Sequence, residues 1–249
     1  MRKLLSANLS RLWINRAFRV SVIFSICIEG VFCLLLLRQG PAPSDLLWRF
    51  SLQFISIILS VFFSLFLGTE YSDGTIRNKI ISGHTRNHIY LASLLSGIAA
   101  ITLIYLSGIF IGFLIGILLA TPPAATIGQN VLAGLIGWLI CISFISIFNL
   151  IGMLSSSKSK TAIISILTAF MLLFLGTYSF NRISVSERLS LTERRIHRVL
   201  FNVNPSGQSF QILSLNRINS PWILIISSLF LSFILLGFGL YFFRKKDLR

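Results

Sequence analysis

The chain has 249 residues, of which 55% are hydrophobic and only 12% are charged, and its formal net charge is +15. A soluble domain has about twice that charged fraction, so the composition excludes an ordinary soluble protein. The basic residues flank apolar runs and form no stripe, which argues against nucleic acid as a partner. The apolar runs have the length of membrane-spanning helices, which need about 20 residues each. The composition therefore predicts an all-α integral membrane protein.

The first predicted element is an amphipathic helix at residues 1–17. Leu5, Leu9, Leu12 and Trp13 fall on one side of it at helical spacing. A basic helix with a Trp in its apolar face is typical of a helix that lies in the membrane interface. A plain extension of the first span is the alternative. The long basic segment and the length of the apolar run after it argue against a cleaved signal peptide.

Six predicted spans follow, and each is uncharged apart from Arg19, at the edge of the first, Glu29 within it, and Arg49 in the second. The third and fourth share a stretch of roughly 70 uncharged residues between Arg86 and Lys158, broken by Thr-Pro-Pro at 121–123. That break predicts a tight turn between two spans. The predicted spans are 18–37, 46–68, 89–120, 127–154, 161–180 and 221–243.

The distribution of Lys and Arg predicts the orientation of the spans. The N-terminal segment, the connections after the second and fourth spans, and the C-terminus are basic, whereas the short connections on the other side carry only Arg38 and Arg49. Basic loops stay in the cytoplasm, so both termini are expected there. The 181–220 connection is also basic, but long loops weigh less in this rule.

The outer connection at 181–220 is expected to hold an amphipathic helix on the membrane surface. Ser184-x-x-Glu187 has the pattern of a capping box, and apolar residues then repeat at helical spacing opposite basic ones. Asn204-Pro205 predicts the end of this helix, and Pro221 predicts the first turn of the last span. The apolar positions are Leu189, Ile196, Val199, Leu200 and Val203.

Between the second and third spans the sequence predicts a short cytoplasmic helix at 73–83. Ser72 or Asp73 can cap its start, and Thr85 can cap the helix that follows. Gly83 is a natural C-terminal stop. A short, charged helix between two spans suits contact with a soluble partner, and an ordinary polar loop is the alternative.

This segment resembles the coupling region of ATP-binding-cassette (ABC) type-2 permeases. In small bacterial members a Glu ends the second helix, and a Gly-Thr-Ile-Arg-Asn-Lys run, a Gly and a Thr/Ser-Arg pair follow it. The basic ending at 242–248 is similar to the C-terminus common in these proteins, and Asn204-Pro205 with Gln208 is a weaker likeness. The matching positions are Glu70, Gly74 to Lys79, Gly83, Thr85-Arg86 and Ile89-Tyr90.

The resemblance extends over the whole chain and implies a permease subunit of an ABC exporter in a bacterial plasma membrane. Two permease subunits, identical or not, would pair in the lipid bilayer, and each would rest its helix at 73–83 on a separate cytoplasmic ATPase subunit. ATP and Mg²⁺ would bind to that subunit, since this sequence lacks the Gly-x-x-x-x-Gly-Lys-Ser/Thr phosphate loop and is expected to be no enzyme itself. The implied coupling residues are Glu70, Asp73, Gly74, Thr75, Ile76, Arg77, Lys79, Gly83 and Arg86.

Two further features lie inside the predicted spans. Glu29 is costly in a bilayer unless it is paired, hydrated or protonated, so it is a candidate for the substrate path, with internal packing as the alternative. Gly108, Gly112 and Gly116 form a double Gly-x-x-x-Gly, which allows helices to approach closely. Packing within the chain is favoured over a seam between subunits.

No metal or catalytic site is predicted. His84 and His88 lie four residues apart, but the Glu that an intramembrane metalloprotease needs is missing between them. Cys27, Cys33 and Cys141 fall inside apolar runs at spacings that match no metal site, as expected of small core residues.

The expected function is ATP-driven export of an amphipathic antimicrobial peptide, or immunity against one, by analogy with small six-span relatives. Export of a lipid, drug or ion is the alternative, and an ATP-independent carrier or channel is a further one. A membrane-embedded enzyme would need intramembrane catalytic pairs that the sequence lacks. Charge reversal at Arg77 and Lys79 separates a permease, which would lose its ATPase partner, from a carrier, which would tolerate the change.

Overall fold

The structure is a computed structural model, and it describes residues 1–155, 157–185, 190–214 and 220–246. Within these ranges the regular structure is helical, apart from one isolated bridge between Pro43 and Thr121. Six of the helices are long and apolar enough to cross a membrane. The predicted all-α, multi-pass membrane class is therefore confirmed.

Eleven helices, α1 to α11, occupy the described ranges. The membrane-length elements are α2 (Arg16–Gln39), α4 (Ser51–Ser72) with α3 (Ser44–Arg49) directly before it, α6 (Arg86–Leu119), α7 (Ile127–Leu154), α8 (Lys158–Val185) and α11 (Pro221–Lys245). The shorter helices are α1 (Arg2–Ile14), α5 (Thr75–Ile81), α9 (Leu191–Val203) and α10 (Pro205–Leu213). Each predicted span coincides with one membrane-length element, and the second of them is divided.

The N-terminal helix α1 and the end of α11 lie at the same end of the helix bundle. Arg86, at the start of α6, donates a hydrogen bond to the carbonyl of Arg244 at the end of α11 (2.8 Å). Lys79 of α5 donates to the side chain of Asn8 in α1 (3.0 Å). This side of the bundle is termed the α5 end, and the opposite side, where α9 and α10 lie, is termed the α10 end.

The second span, predicted at 46–68, is divided near its start. Phe50 separates α3 from α4 but keeps right-handed helical angles (φ −63°, ψ −27°). The N–H of Gln53 donates to the carbonyl of Phe50 (2.9 Å), which tightens the helix to i→i+3 bonding at this point. The hydroxyl of Ser51 donates to the carbonyl of Trp48 (2.9 Å), a side-chain contact of the kind that bends helices.

Next to this division, α6 packs against α3 and the start of α4 through a face of glycines. A methyl group at Gly112 would lie 2.5 Å from the Cα of Trp48. At Gly108 and Gly116 it would lie 3.0 and 3.1 Å from side-chain atoms of α4 and α3. Spacing of four residues keeps the three glycines on one side of α6. The Gly-x-x-x-Gly pattern thus lies at a contact within this chain.

Gly112→Ala is expected to destabilise the protein by about 1–3 kcal/mol, the usual range for overpacking. The added methyl group would meet the backbone of Trp48, which cannot move without shifting α3. Gly134→Ala in α7 is the matched control, because nothing lies within 4 Å of that position. Thermal unfolding in one detergent measures both variants, and equal melting temperatures would contradict close packing at Gly112.

The N-terminal helix packs with a different face from the one predicted. Leu4, Asn8 and Leu12 are buried, whereas Trp13 and Ile14 are 62% and 76% exposed. Because α1 packs against α6, the positions at i, i+4 and i+8 turn toward the protein. The residues of the predicted apolar face therefore do not act together. Leu12 packs in the protein core, whereas Trp13 points away from the protein. Trp13 is thus on the side where an interface helix would contact lipid.

The connection between α8 and α11 contains a different capping box from the one predicted. α8 continues to Val185, so Ser184 lies inside that helix, and Glu187 lies outside the described residues. The capping box forms at the start of α9, where the N–H of Ser190 donates to the carboxylate of Glu193 (3.0 Å) and the N–H of Glu193 donates to the hydroxyl of Ser190 (3.3 Å). These hydrogen bonds lower the pKa of Glu193 below its ordinary value. The capping box predicted at 184–187 is wrong.

A second helix in this connection, α10, was not predicted. Asn204 and Pro205 end α9, as expected, but they also begin α10. The side chain of Asn204 donates to the carbonyl of Leu172 in α8 (2.7 Å), and the Oε1 of the fully buried Gln208 accepts from the hydroxyl of Ser228 in α11 (2.7 Å). Polar side chains therefore hold α10 between the membrane-length helices.

Candidate functional site

A buried carboxylate at the α5 end is the centre of the candidate site. Glu70 lies in the last turn of α4, and its side chain is fully buried. Its Oε1 accepts a hydrogen bond from the Nζ of Lys79 in α5 (2.8 Å) and one from the guanidinium of Arg11 in α1. One carboxylate therefore joins three helices.

Arg11 is held in one orientation by the end of α4. Its guanidinium donates to the hydroxyl of Thr69 (3.0 Å) and to the carbonyl of Phe66, and it lies 4.4 Å from the centroid of the Phe66 ring. A cation over an aromatic face is attracted by the ring quadrupole. Together with the Lys79–Asn8 bond, these contacts fix α1 against α4 and α5. The residues Asn8, Arg11, Glu70 and Lys79 are termed the Glu70 cluster.

The Glu70 cluster carries an excess of positive charge. Two cations face one carboxylate, and the Oε2 of Glu70 has no hydrogen-bond partner among the described residues. Hydrogen bonds between charged groups are about twice as strong as neutral ones, and a buried setting strengthens them further. Without the carboxylate, two cations would face each other across the joint between α1 and α5.

The helix predicted at 73–83 is present but shorter, at Thr75–Ile81. Gly74 and Gly83 flank it in the left-handed region (φ 66° and 83°), where glycine meets no steric penalty. Asp73 ends α4 and does not cap α5, because the left-handed Gly74 separates the two helices. Thr85 caps α6 as predicted and accepts from the N–H of the residue three positions later (3.4 Å).

One side of α5 is anchored to the protein. Ile76 is 2% exposed and belongs to the main hydrophobic core. The hydroxyl of Thr75 donates to the backbone carbonyl of Glu70 (3.0 Å), and Lys79 reaches the carboxylate of the same residue. α5 is therefore attached at its first turn and at its middle.

The other side of α5 is open. Arg77 and Asn78 are exposed, Ile81 is 76% exposed, and Asp73 is exposed just before the helix. An apolar side chain surrounded by polar and charged ones is the usual composition of a protein contact surface. The residues Asp73, Arg77, Asn78 and Ile81 are termed the α5 face.

Arg86, an implied coupling residue, does not lie on the α5 face. Its guanidinium donates to the carbonyls of Phe243 (3.3 Å), Arg244 (2.8 Å) and Lys246. The last carbonyls of a helix lack intrahelical partners, and a cation there also meets the negative end of the helix dipole. The structure thus places Arg86 as a cap on the C-terminus of α11.

The end of α11 is attached to the bundle by Lys246. Its Nζ donates to the hydroxyl of Tyr71 (2.8 Å) and to the carbonyls of Met153 (3.0 Å) and Ser155 (2.7 Å). Burial lowers the pKa of Lys246 to about 8, so the ammonium form still predominates at neutral pH. Lys246 therefore joins the ends of α4, α7 and α11.

Lys246→Met is expected to lower the unfolding free energy by about 1–2 kcal/mol, since the carbonyl of Ser155 loses its donor, whereas the carbonyl of Met153 keeps the hydroxyl of Tyr71. Lys245→Met is the matched control, because Lys245 is exposed and reaches only Tyr241 one turn away (2.6 Å). Thermal unfolding and hydrogen exchange at the end of α7 measure the difference. Equal exchange in the two variants would show that Lys246 does not hold this end.

Glu29, the candidate for the substrate path, is placed in helix packing. It is 1% exposed in α2, and its Oε1 lies 3.0 Å from the position of a methyl group at Gly112. The Sγ of Cys33 lies 4.0 Å from the same oxygen. In this conformation Glu29 faces neighbouring helices, and a role in substrate passage stays a prediction.

A second buried charge cluster, at the α10 end, was missed in the sequence. The side chains of Asp45 and Arg49 are each 1% exposed, and their charged atoms lie 3.8 Å apart. Asp45 accepts from two N–H groups of the α6–α7 turn (3.1 and 2.9 Å). Arg49 donates to Asn130 in α7 (2.8 Å) and to the carbonyl of Ile212 in α10 (3.2 Å). The signal for this cluster in the sequence is only the i,i+4 spacing of opposite charges before an apolar run.

Two comparisons with known proteins assign no family to this chain. No protein-family model matches the chain, and no curated protein matches it either. Within the described ranges, no three His, Cys, Asp or Glu side chains lie close enough together to hold a metal ion. The proposal for function therefore rests on the coupling-region motif and on the geometry around Glu70.

Proposed function

We propose that this chain is the permease subunit of an ABC-type exporter, and that a cytoplasmic ATPase subunit docks on the α5 face. The Glu70 cluster is the observation that supports this most strongly. A short helix that is open on one side and tied by charged side chains to two other helices on the opposite side is suited to transmit movement from a partner.

The contacts of α5 define how a movement of this helix would be transmitted to the rest of the bundle. A displacement of α5 acts on α4 through the Lys79–Glu70 pair and on α1 through Asn8 and Arg11. α4 in turn packs against α7 and α8, so it cannot shift alone. Rigid-body rearrangements of packed helices are a common form of switching transition. ATP and Mg²⁺, bound to the partner subunit, would supply the energy.

Two permease subunits, identical or different, would enclose the transport pathway. The substrate we favour is an amphipathic antimicrobial peptide, exported or removed for self-protection, and this choice rests on analogy alone. Export of a lipid, drug or ion is the alternative. An ATP-independent carrier or channel is the competing function, and it assigns no role to the α5 face.

Site-specific photocrosslinking in the native host tests the docking surface. A photoreactive residue replaces Ile81 on the α5 face or, as the control, Leu191, which is 80% exposed at the α10 end. We expect Ile81 alone to capture a soluble subunit that carries a phosphate-loop motif. Capture of no such subunit at Ile81, with the chain at normal levels in the membrane, would refute the proposal.

Charge reversal on the α5 face separates a permease from a carrier. Arg77→Glu tests docking more specifically than a change at Lys79 does. Lys79 belongs to the Glu70 cluster, so reversal of its charge would also disturb the fold. Arg77→Glu should reduce co-purification of the ATPase by about tenfold, the equivalent of one lost charge contact. Arg195→Glu, exposed on α9, should have no effect. Full assembly and transport with Arg77→Glu would favour the carrier.

A further inference from the structure

A large cavity lies at the α10 end, where α8 ends and α11 begins. Its volume is about 820 Å³, and side chains of α8, α9, α10 and α11 line it. Ligand sites in proteins have volumes of about 300–1,000 Å³. The cavity is therefore large enough for a small organic ligand, and its position at the ends of two membrane-length helices places it at the level of the membrane interface.

One wall of the cavity is aromatic. The ring of Phe180 in α8 lies 6.0 Å from that of Phe201 in α9 and 6.1 Å from that of Phe210 in α10, measured between centroids. Phe180 is 41% exposed, and Ile223, which lines the cavity from α11, is 47% exposed. The apolar wall thus continues onto the outer surface of α8 and α11, which faces lipid in a membrane protein. An alkyl chain can pass from the bilayer into the cavity without crossing a polar surface.

The other wall is polar and positively charged. Arg198 of α9 is the charged group among the described residues that line the cavity, and none of them is acidic. Within the described part of the chain its guanidinium makes neither a hydrogen bond nor an ion pair. Gln211 of α10 lies on the same wall and donates to Asn202 (3.0 Å). A guanidinium with open donors next to amide groups suits a phosphate, which it can bind through two parallel hydrogen bonds.

We propose that this cavity binds an anionic phospholipid, with the phosphate on Arg198 and an acyl chain along the wall of Phe180 and Phe210. Charge favours an anionic lipid over a zwitterionic one, because the described lining offers a cation for the phosphate and no acidic side chain for an ammonium group. The proposal requires only that the chain is embedded in a membrane, so it is independent of the proposed role in ATP-driven export.

Photolabelling in lipid nanodiscs tests the site. The probe is phosphatidylglycerol with a diazirine on one acyl chain, and phosphatidylcholine with the same chain is the comparison lipid. We expect peptides that contain Phe180, Phe210 or Ile223 to be labelled by the anionic probe. Arg198→Gln should reduce that labelling about tenfold, the value of one charge-assisted hydrogen bond, and Arg198→Lys should restore part of it.

Arg195→Gln is the matched control, because Arg195 is exposed on the same helix but does not line the cavity. It should leave the labelling unchanged, and thermal unfolding should show that both glutamine variants keep the native fold. Equal labelling of the two variants, or equal labelling by both lipids, would overturn the proposal. Displacement of the probe by millimolar inorganic phosphate would also overturn it, since the cavity would then be a site for a free anion.

Discussion

Glu70→Gln is expected to lower the unfolding free energy by about 3 kcal/mol and to release both α1 and α5 from the end of α4. Breaking a buried ion pair by removal of one partner costs roughly 3–5 kcal/mol. We expect the lower end of this range, because Arg11 and Lys79 keep 29% and 16% of their side chains exposed and can turn toward water. Both cations lose their carboxylate in this variant, and the amide oxygen that replaces it accepts their hydrogen bonds without carrying a negative charge.

Thermal unfolding and hydrogen exchange measure this effect. Exchange should increase in residues 2–14 and 75–81 and stay unchanged in α7, since the Glu70 cluster does not contact that helix directly. Asp73→Asn is the matched control, because Asp73 is an exposed carboxylate three residues away. If Glu70→Gln and Asp73→Asn behaved alike, the Glu70 cluster would hold no helices together and the proposed route of movement from α5 would be lost.

Arg49→Leu is expected to destabilise the α10 end by about 3–5 kcal/mol, the full range for a broken buried pair. Arg49 and Asp45 are both almost completely buried, so neither group can relax into water. The variant leaves the carboxylate of Asp45 without its cation and removes the donor for the carbonyl of Ile212. α10 should therefore become more accessible to protease and exchange faster than α4.

A double variant separates the charge effect from the packing effect. Asp45→Asn together with Arg49→Leu removes both charges, and loss of both partners costs less than loss of one. We expect the double variant to regain at least 1 kcal/mol, roughly the net value of a charged hydrogen bond. Arg38→Leu, exposed at the same end of the bundle, should remain within about 0.5 kcal/mol of the natural protein. Strict additivity of the two single changes would contradict a coupled pair.

Under the proposed mechanism, loss of each charge cluster should impair transport in a different way. The Glu70 cluster joins the docking helix to the bundle, so its loss should uncouple the partner from the membrane helices while the spans persist. The Asp45–Arg49 pair holds α3 to α7 and α10 at the far end, which makes it a support for the α10 end. Transport assays on the two variants should therefore fail in different ways, with ATPase docking kept in Arg49→Leu and disturbed in Glu70→Gln.

Features of the sequence that act locally predicted the fold class and most helix ends. Hydropathy located all six membrane-length helices, because a long run of apolar residues depends only on its own composition. Gly83 and Thr85 end and begin helices as expected, since a left-handed glycine and a side-chain cap act within a few residues. The turn at Thr-Pro-Pro was predictable for the same reason.

Only the tertiary structure decided which side chains meet across the bundle. Arg11 and Glu70 are 59 residues apart in the chain, and Arg49 and Ile212 are 163 apart. Such pairs depend on how the helices turn about their own axes, and that rotation is set by packing, as the inward side of α1 and the glycine face of α6 show. The buried position of α10 has the same origin, because its polar side chains find partners on α8 and α11 that no local pattern identifies. Local chemistry thus determined the elements of this protein, and the packing of one helix on another determined its sites.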